Sequence, residues 1–172
     1  MVFGILAIKK TKLWRGNELK HFNLSAMIAT SFGIGRMPVM PGTWGSLATL
    51  PVAWGISYYF GSIFIILISI ILFFIGILVS NLYLKEFGGE DPGPIVIDEV
   101  VGQLLTIAFV PLDIFYYLIG FALFRVVDIF KPWPVSWVDK EIKGGLGIML
   151  DDVVASLYSG SILYLCFYLL EI

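Results

Sequence analysis

Residues 63–82 read IFIILISIILFFIGILVSNL and contain no charged side chain. Because a helical membrane span requires about 20 mostly apolar residues, this stretch is long enough to cross a bilayer. The uncharged region is longer still, from Met37 to Leu84, and Gly61-Ser62 provides the turn signal near its middle. We therefore predict one span near Trp44–Phe60 and another near Ile63–Leu82, joined by a tight hairpin.

Further apolar segments flank this region. The chain is largely apolar from Ile95 to Phe130 except for a pause at Pro111-Leu112-Asp113, which predicts a helical hairpin with short arms and Asp113 as a plain turn residue. A last span covers Val153–Leu170, while Leu24–Phe32 is too short to cross and is expected to lie in the interface. The predicted fold is all-α, a polytopic membrane bundle of about five transmembrane or partly inserted helices.

The composition agrees with a membrane protein. Hydrophobic residues make up 59% of the chain and charged residues only 14%, against about 25% charged residues in soluble domains. A formal net charge of −2 provides no positive excess for binding nucleic acid. With one cysteine, Cys166, and one histidine, His21, the chain cannot build a disulfide, a thiolate metal site or a two-histidine catalytic site.

The basic residues indicate the orientation in the membrane. If the N-terminus is cytoplasmic, alternating spans place all eleven lysines and arginines on the cytoplasmic side, as the positive-inside rule requires. The segment 1–32 is basic and is expected to be partly interfacial. Basic residues follow the apolar residues Met1–Ile8 instead of preceding them, so we expect no cleaved signal peptide. Residues 1–172 are interpreted as a single membrane domain with its active face toward the cytoplasm.

Charged residues gather at one predicted bilayer face. Two acids open the third span, an Arg and an Asp at i, i+3 close the fourth, and two acids open the fifth. The short hairpin brings the start of the third span beside the end of the fourth. Charges at a membrane boundary are costly unless they are paired or coordinated, so they are candidates for function. The residues are Asp98, Glu99, Arg125, Asp128, Asp151 and Asp152.

This charge pattern indicates a metal site. Arg125 and Lys131 cannot neutralise five carboxylates, and clustered carboxylates raise one another's pKa unless a cation binds. Carboxylates are hard oxygen ligands that suit Mg²⁺. The alternative is that these acids only reach the headgroups and cap helix N-termini, where they meet the helix dipole favourably.

Two glycine-rich segments precede predicted helix starts on this face. They are residues 41–46 (PGTWGS) and residues 144–149 (GGLGIM). Backbone N–H groups of such loops, together with a helix N-terminus, can hold a phosphate. The alternative is that both are simple turns and that Thr43 is a helix N-cap.

An acidic metal site with Arg and Lys nearby, at headgroup depth, is suited to hydrolysing a phosphomonoester on a lipid. The alternative from another class is a cation transporter or channel that uses the same acids. A transporter requires polar groups that continue through the membrane. The predicted second and fifth spans carry only Ser, Tyr and Asn81 near an end, which favours the phosphatase.

Four ordered motifs resemble the phosphatidylglycerophosphatase A family. They are residues 41–46 (PGTWGS), Ile97-Asp98-Glu99, residues 125–134 (RVVDIFKPWP) and residues 144–152 (GGLGIMLDD). The resemblance covers the chain from about Gly33 to its end. It implies a Mg²⁺-dependent integral membrane phosphatase that converts phosphatidylglycerophosphate to phosphatidylglycerol in the bacterial inner membrane. The expected partner is a phospholipid substrate in the bilayer, with no nucleic acid and no obligatory protein partner.

We assign roles to these residues as a hypothesis. The acids supply the metal ligands and the base that orients water, and the two cations hold phosphate oxygens. Residues of the glycine-rich segments assist substrate binding. The predicted metal ligands are Asp98, Glu99, Asp128, Asp151 and Asp152; the predicted substrate contacts are Thr43, Ser46, Arg125, Lys131, Gly145 and Gly147.

Overall fold

The computed structural model describes residues 23–170, and its regular structure is helical throughout. This confirms the all-α prediction for the described part of the chain, whereas most of the basic segment 1–32 lies outside it. A 3-10 turn at Ile34–Arg36 joins the first two α-helices. The α-helices are α1 (Leu24–Ala29), α2 (Pro41–Phe60), α3 (Ser62–Phe87), α4 (Ile97–Ile107), α5 (Ile114–Phe130), α6 (Val135–Glu141) and α7 (Gly144–Leu170).

Two of the described helices, α3 and α7, are long and apolar enough to cross a membrane. Each provides 26 suitable residues, which extend about 39 Å at 1.5 Å per residue. α4 has 11 residues and spans only about 16 Å, so it reaches about half-way through a hydrocarbon core about 30 Å thick. The helices therefore fit a membrane protein, and the count of about five spans stays a prediction.

The helix boundaries follow local sequence signals. Gly61 separates α2 from α3 with φ 87°, a left-handed conformation that glycine adopts without strain, as the predicted hairpin requires. Asp113 is the N-cap of α5 and accepts a hydrogen bond from the Phe115 N–H at 2.7 Å. This confirms that Asp113 belongs to the turn. α5 ends at Phe130, with Lys131 as its C-cap, because Pro132 has no N–H to continue the helix.

The short helix α4 lies at the centre of the bundle and packs against α2, α3, α5 and α7. Its Val101, Leu104 and Ile107 are almost completely buried. Gly102 allows α5 to approach, because a β-carbon there would lie 2.5 Å from Cζ of Phe124. The predicted hairpin of α4 and α5 is thus present, with the start of α4 beside the end of α5.

The prediction that the two glycine-rich segments are loops is wrong. Residues 41–46 form the first turns of α2, whose N-cap is Met40 instead of Thr43. Residues 144–149 form the first turns of α7, so Asp151 and Asp152 lie two turns inside this helix. Close backbone contacts explain these glycines: a β-carbon at position 145 would lie 2.3 Å from the Ile77 carbonyl oxygen, and one at position 147 would lie 2.0 Å from that of Ile142.

Candidate active site

Three acidic side chains from α4 and α7 meet at one end of the bundle. Carboxylate oxygens of Asp98, Glu99 and Asp152 all lie within 4.8 Å of one another. We call these three residues the acid cluster. Asp98 and Glu99 stand in the first turn of α4, and Asp152 reaches them from the interior of α7. The structure thus brings together three of the five predicted metal ligands.

The acid cluster is buried and incompletely hydrogen-bonded. Asp98 is 8% exposed and Asp152 is 3% exposed. Oδ1 of Asp98, Oε2 of Glu99 and Oδ2 of Asp152 are buried without a hydrogen-bond partner. Burying a charge without a partner is energetically costly, and proteins place such groups where they bind a ligand or a metal. Three carboxylate oxygens this close together form a donor set that fits a cation.

Arg125 borders the acid cluster from α5. Its Nη1 lies 2.7 Å from Oδ2 of Asp128 and 3.7 Å from Oε1 of Glu99. The same nitrogen donates to Oγ of Ser46 at 3.4 Å, and Ser46 is completely buried. Asp128 is thus held by Arg125, so its predicted role as a metal ligand is less favoured than those of the acid cluster. Ser46, predicted to bind substrate, supports Arg125.

The N-terminal turn of α2 covers the acid cluster. A β-carbon at Gly42 would lie 1.9 Å from Oε1 of Glu99 and 3.2 Å from Nη1 of Arg125. Only glycine leaves room for both side chains at this point. The next residue, Thr43, has a buried hydroxyl with no hydrogen-bond partner, and its contact with substrate stays a prediction.

A second group of charges surrounds Lys131, which follows directly after α5. Its Nζ lies 2.5 Å from Oδ1 of Asp139 and 2.7 Å from Oδ2 of Asp151. We call Lys131, Asp139 and Asp151 the lysine network. Burial lowers the pKa of Lys131, but the two carboxylates outweigh this and raise it above its ordinary value. Lys131 therefore stays protonated at neutral pH, and Asp151, a predicted metal ligand, already has a cationic partner.

The predicted phosphate contacts of Gly145 and Gly147 lose their structural basis. The N–H of Gly145 donates to Oδ1 of Asn81 at 2.8 Å, so this amide is already occupied. Gly147 packs against the backbone of Ile142. Both glycines serve helix packing in this structure, and their predicted role in substrate binding is not favoured by it.

Sequence reasoning missed Asp139 and Gln103. Asp139 lies on α6 in a segment of ordinary polarity. Only its separation of eight residues from Lys131 in the sequence could have indicated an ion pair between them. Gln103 is completely buried and both its amide atoms have no hydrogen-bond partner. It follows Glu99 by one helical turn, and its presence in an otherwise apolar run was the available signal.

The arrangement suggests a specific chemistry. The acid cluster offers three hard oxygen ligands for a divalent cation, and Arg125 supplies a guanidinium that can bind phosphate oxygens through two N–H groups. These are the components of a site for metal-assisted hydrolysis of a phosphate ester.

Comparison with known proteins agrees with this chemistry. The family model of phosphatidylglycerophosphatase A matches residues 27–167. Phosphatidylglycerophosphatase A of Escherichia coli (strain K12) is 37% identical over 149 residues, which cover 86% of each chain. The Haemophilus influenzae phosphatidylglycerophosphatase A is 35% identical over 147 residues, 83% of this chain and 90% of the relative.

A third relative carries a different name. A Bacteroides thetaiotaomicron protein, provisionally named a phosphatidylinositol-3-phosphatase, is 40% identical over 145 residues, 79% of this chain and 89% of the relative. No solved structure gives a significant match. The family match extends over most of the chain and includes the acid cluster, Arg125 and the lysine network. The resemblance seen in the sequence motifs is confirmed: the chain belongs to the phosphatidylglycerophosphatase A family.

Proposed function

We propose that this protein is a Mg²⁺-dependent lipid phosphatase that hydrolyses the phosphomonoester of phosphatidylglycerophosphate, giving phosphatidylglycerol and phosphate. The names of two relatives support the substrate. The observation that supports the metal dependence is the acid cluster, in which oxygens of three carboxylates come within 4.8 Å of one another and each carboxylate has one buried oxygen without a hydrogen-bond partner. Because the product of this reaction is a phospholipid, the reaction belongs to phospholipid biosynthesis.

The ligand set supports Mg²⁺ over softer metals. Asp98, Glu99 and Asp152 would hold the ion through oxygen atoms, which Mg²⁺ prefers, and water would complete its coordination. Among the described residues, no histidine and only one cysteine, the exposed Cys166, could serve a softer metal. When bound, the ion would activate water and neutralise charge on the phosphate.

Arg125 would bind the phosphate. Its guanidinium is fixed by Asp128 and Ser46, so it reaches the substrate already oriented. Asp128 is held beside the acid cluster by its ion pair with Arg125, and we assign it the task of accepting a proton from the attacking water. Lys131 would then act mainly by fixing Asp151 on α7, one residue before Asp152.

The lipid would reach the site laterally from the bilayer. Large apolar side chains are exposed along α3, among them Leu67, Ile71 and Leu78, which suits contact with acyl chains. Lys131, which contacts Asp151, and Lys143, which lines a cavity together with Asp151, support a cytoplasmic active face under the positive-inside rule. We therefore propose a multi-pass protein of the bacterial inner membrane that requires no protein partner.

The family assignment favours an enzyme over the cation transporter. The buried hydroxyls of Thr49, Ser69 and Thr106 donate to carbonyl oxygens four residues earlier in their own helices. These groups are therefore used within the helices, and they offer little support for a polar path across the membrane.

The test is an assay of phosphate release by the purified protein in detergent. It is offered phosphatidylglycerophosphate with Mg²⁺ or with chelator, and the lipid product is identified by mass spectrometry. We expect phosphatidylglycerol to form only with Mg²⁺. Equal rates with chelator would refute the metal dependence, and no phosphate release would refute the substrate.

A further inference from the structure

A cavity of about 220 Å³ lies at the corner between α6 and α7. Its wall comes from the end of α6, the first turns of α7 and the loop before α4. Asp151 belongs to this wall, and the next residue, Asp152, belongs to the acid cluster. The cavity and the acid cluster are therefore formed in part by the same two elements, α7 and the segment that leads into and begins α4.

The cavity wall is rich in carboxylates. Glu90, Asp91, Asp139 and Asp151 contribute to it, against a single lysine, Lys143. Carboxylates repel phosphate groups and accept charge-assisted hydrogen bonds from hydroxyl groups. A metal ion is disfavoured here because the Lys131 ammonium already lies between Asp139 and Asp151. The chemistry of this wall therefore fits a polyol.

Asp91 is the wall residue best placed to bind a hydroxyl group. The other wall carboxylates have cationic partners: Glu90 lies 3.8 Å from Lys143, and Lys131 holds the remaining two. Within the described residues, Asp91 makes no ion pair. A sharp turn presents it, since Gly89 just before Glu90 adopts φ 98°. Its carboxylate is therefore available to a ligand.

We propose that this cavity binds the polyol of a phospholipid headgroup whose phosphomonoester lies at the acid cluster, with Asp91 accepting a hydrogen bond from a headgroup hydroxyl. The proposal rests on the proposed function and adds the basis of headgroup selection. The names of the relatives point to phosphorylated glycerol and phosphorylated inositol headgroups, and both are polyols. The shared chemistry is a phosphomonoester on a hydroxyl-bearing headgroup.

The experiment removes the secondary hydroxyl of the lipid headgroup and the carboxylate of Asp91, each alone and then both together. Phosphate release is measured from phosphatidylglycerophosphate and from an analogue with a phosphorylated propanediol headgroup, which lacks the secondary hydroxyl. Wild-type protein should prefer the hydroxylated lipid by about tenfold in kcat/KM, as expected for a hydrogen bond to a charged group. In Asp91→Ala this preference should fall to about twofold or less, because the two changes are coupled.

Glu141→Ala is the matched control. Glu141 is an exposed acid at the end of α6 and lies outside the cavity wall, so this variant should keep the wild-type preference. Thermal unfolding of each variant verifies folding. Phosphatidylinositol-3-phosphate, offered as a third lipid, identifies the polyol: faster hydrolysis of this lipid supports inositol, and faster hydrolysis of phosphatidylglycerophosphate supports glycerol.

The possible results separate the two proposals. Equal wild-type rates on the two glycerol-type lipids would overturn the polyol site and leave the phosphatase activity standing. An unchanged preference in Asp91→Ala, or equal losses on both lipids, would also overturn it. Absence of phosphate release from phosphatidylglycerophosphate would overturn the proposed function, and absence of release from all three lipids would overturn the polyol site with it.

Discussion

The acid cluster and the lysine network lie in the same end of the bundle but are neutralised differently. In the lysine network the ammonium of Lys131 lies 2.5 and 2.7 Å from two carboxylates. In the acid cluster Arg125 approaches only Glu99, at 3.7 Å, and three carboxylate oxygens remain without partners. One group is thus completed by the protein, and the other requires a ligand.

This difference divides the predicted metal ligands into two classes. Adjacent acids on α7 have opposite surroundings, since Asp151 contacts Lys131 while Asp152 faces Asp98 and Glu99. Neighbouring residues on a helix point about 100° apart, so a pair of consecutive acids can serve two sites. Substitutions in the acid cluster should therefore have larger effects than substitutions in the lysine network.

The largest loss is expected from Asp152→Asn in the acid cluster. Removing a ligand carboxylate should weaken the metal site and lower kcat/KM by roughly a thousandfold, since a catalytic metal supplies several kcal/mol of transition-state stabilisation. Phosphate release at saturating Mg²⁺ measures this, with membrane insertion verified in the same preparation. Activity within about tenfold of wild type would contradict the assignment.

Gly42→Ala should perturb the acid cluster without removing a charge. The new methyl group would meet Glu99, whose Oε1 lies 1.9 Å from the β-carbon position, so this carboxylate must move. We expect a loss of roughly 10- to 100-fold, in the range found when groups that orient metal ligands are altered. The same assay measures it.

Gly55→Ala in the same helix is the control for Gly42→Ala. A β-carbon at position 55 meets nothing within 4 Å, and alanine favours a helix by about 0.5–1 kcal/mol over glycine. This variant should keep its activity and unfold at an equal or higher temperature. If both glycine variants lost activity equally, helix flexibility and not the contact with Glu99 would be responsible.

Asp139→Asn should have a smaller effect, because it acts on the lysine network. Lys131 loses one of two carboxylate contacts and its pKa falls toward the ordinary value, but the remaining Asp151 keeps the ammonium protonated at neutral pH. We expect a loss of roughly three- to tenfold in kcat/KM, about the net worth of one ordinary hydrogen bond, because the neutral amide of asparagine can still contact Lys131. A loss as large as that of Asp152→Asn would contradict the division and indicate that the acid cluster and the lysine network act as one site.

Asp113→Ala should have the smallest effect on activity. This acid caps α5 at the end of the helix opposite Arg125, so it belongs to neither group. Removing the cap should lower the free energy of unfolding by about 1 kcal/mol and leave phosphate release within about twofold of wild type. Thermal unfolding and the phosphate assay measure the two quantities; a large loss of activity in folded protein would contradict this placement.

The sequence was sufficient to predict the helical hairpin of α4 and α5, which brings Glu99 close to Arg125. An apolar run with one proline-containing pause and charges at both ends allows few arrangements, because the charges must reach the same bilayer face. The i, i+3 spacing of Arg125 and Asp128 likewise predicted their ion pair, which the structure places at 2.7 Å.

The start of α7 could not be predicted from the sequence. Glycine is unfavourable in a helix, so Gly145 and Gly147 indicated a loop. Packing overrides this preference, since the backbone of Ile77 on α3 and that of Ile142 just before α7 leave no room for a β-carbon at these positions. The division between Asp151 and Asp152 could not be predicted for a similar reason, because Asp151 meets Lys131 only through the packing of α7 against α5 and α6.

The most direct test of the central claim is a calorimetric titration of Mg²⁺ into the purified protein in detergent, without lipid. The comparison of the acid cluster with the lysine network predicts binding to wild type, loss of binding in Asp98→Asn, and retained binding in Asp139→Asn. Absence of binding to wild type, or equal weakening in both variants, would contradict the claim that the unpaired carboxylates form the metal site.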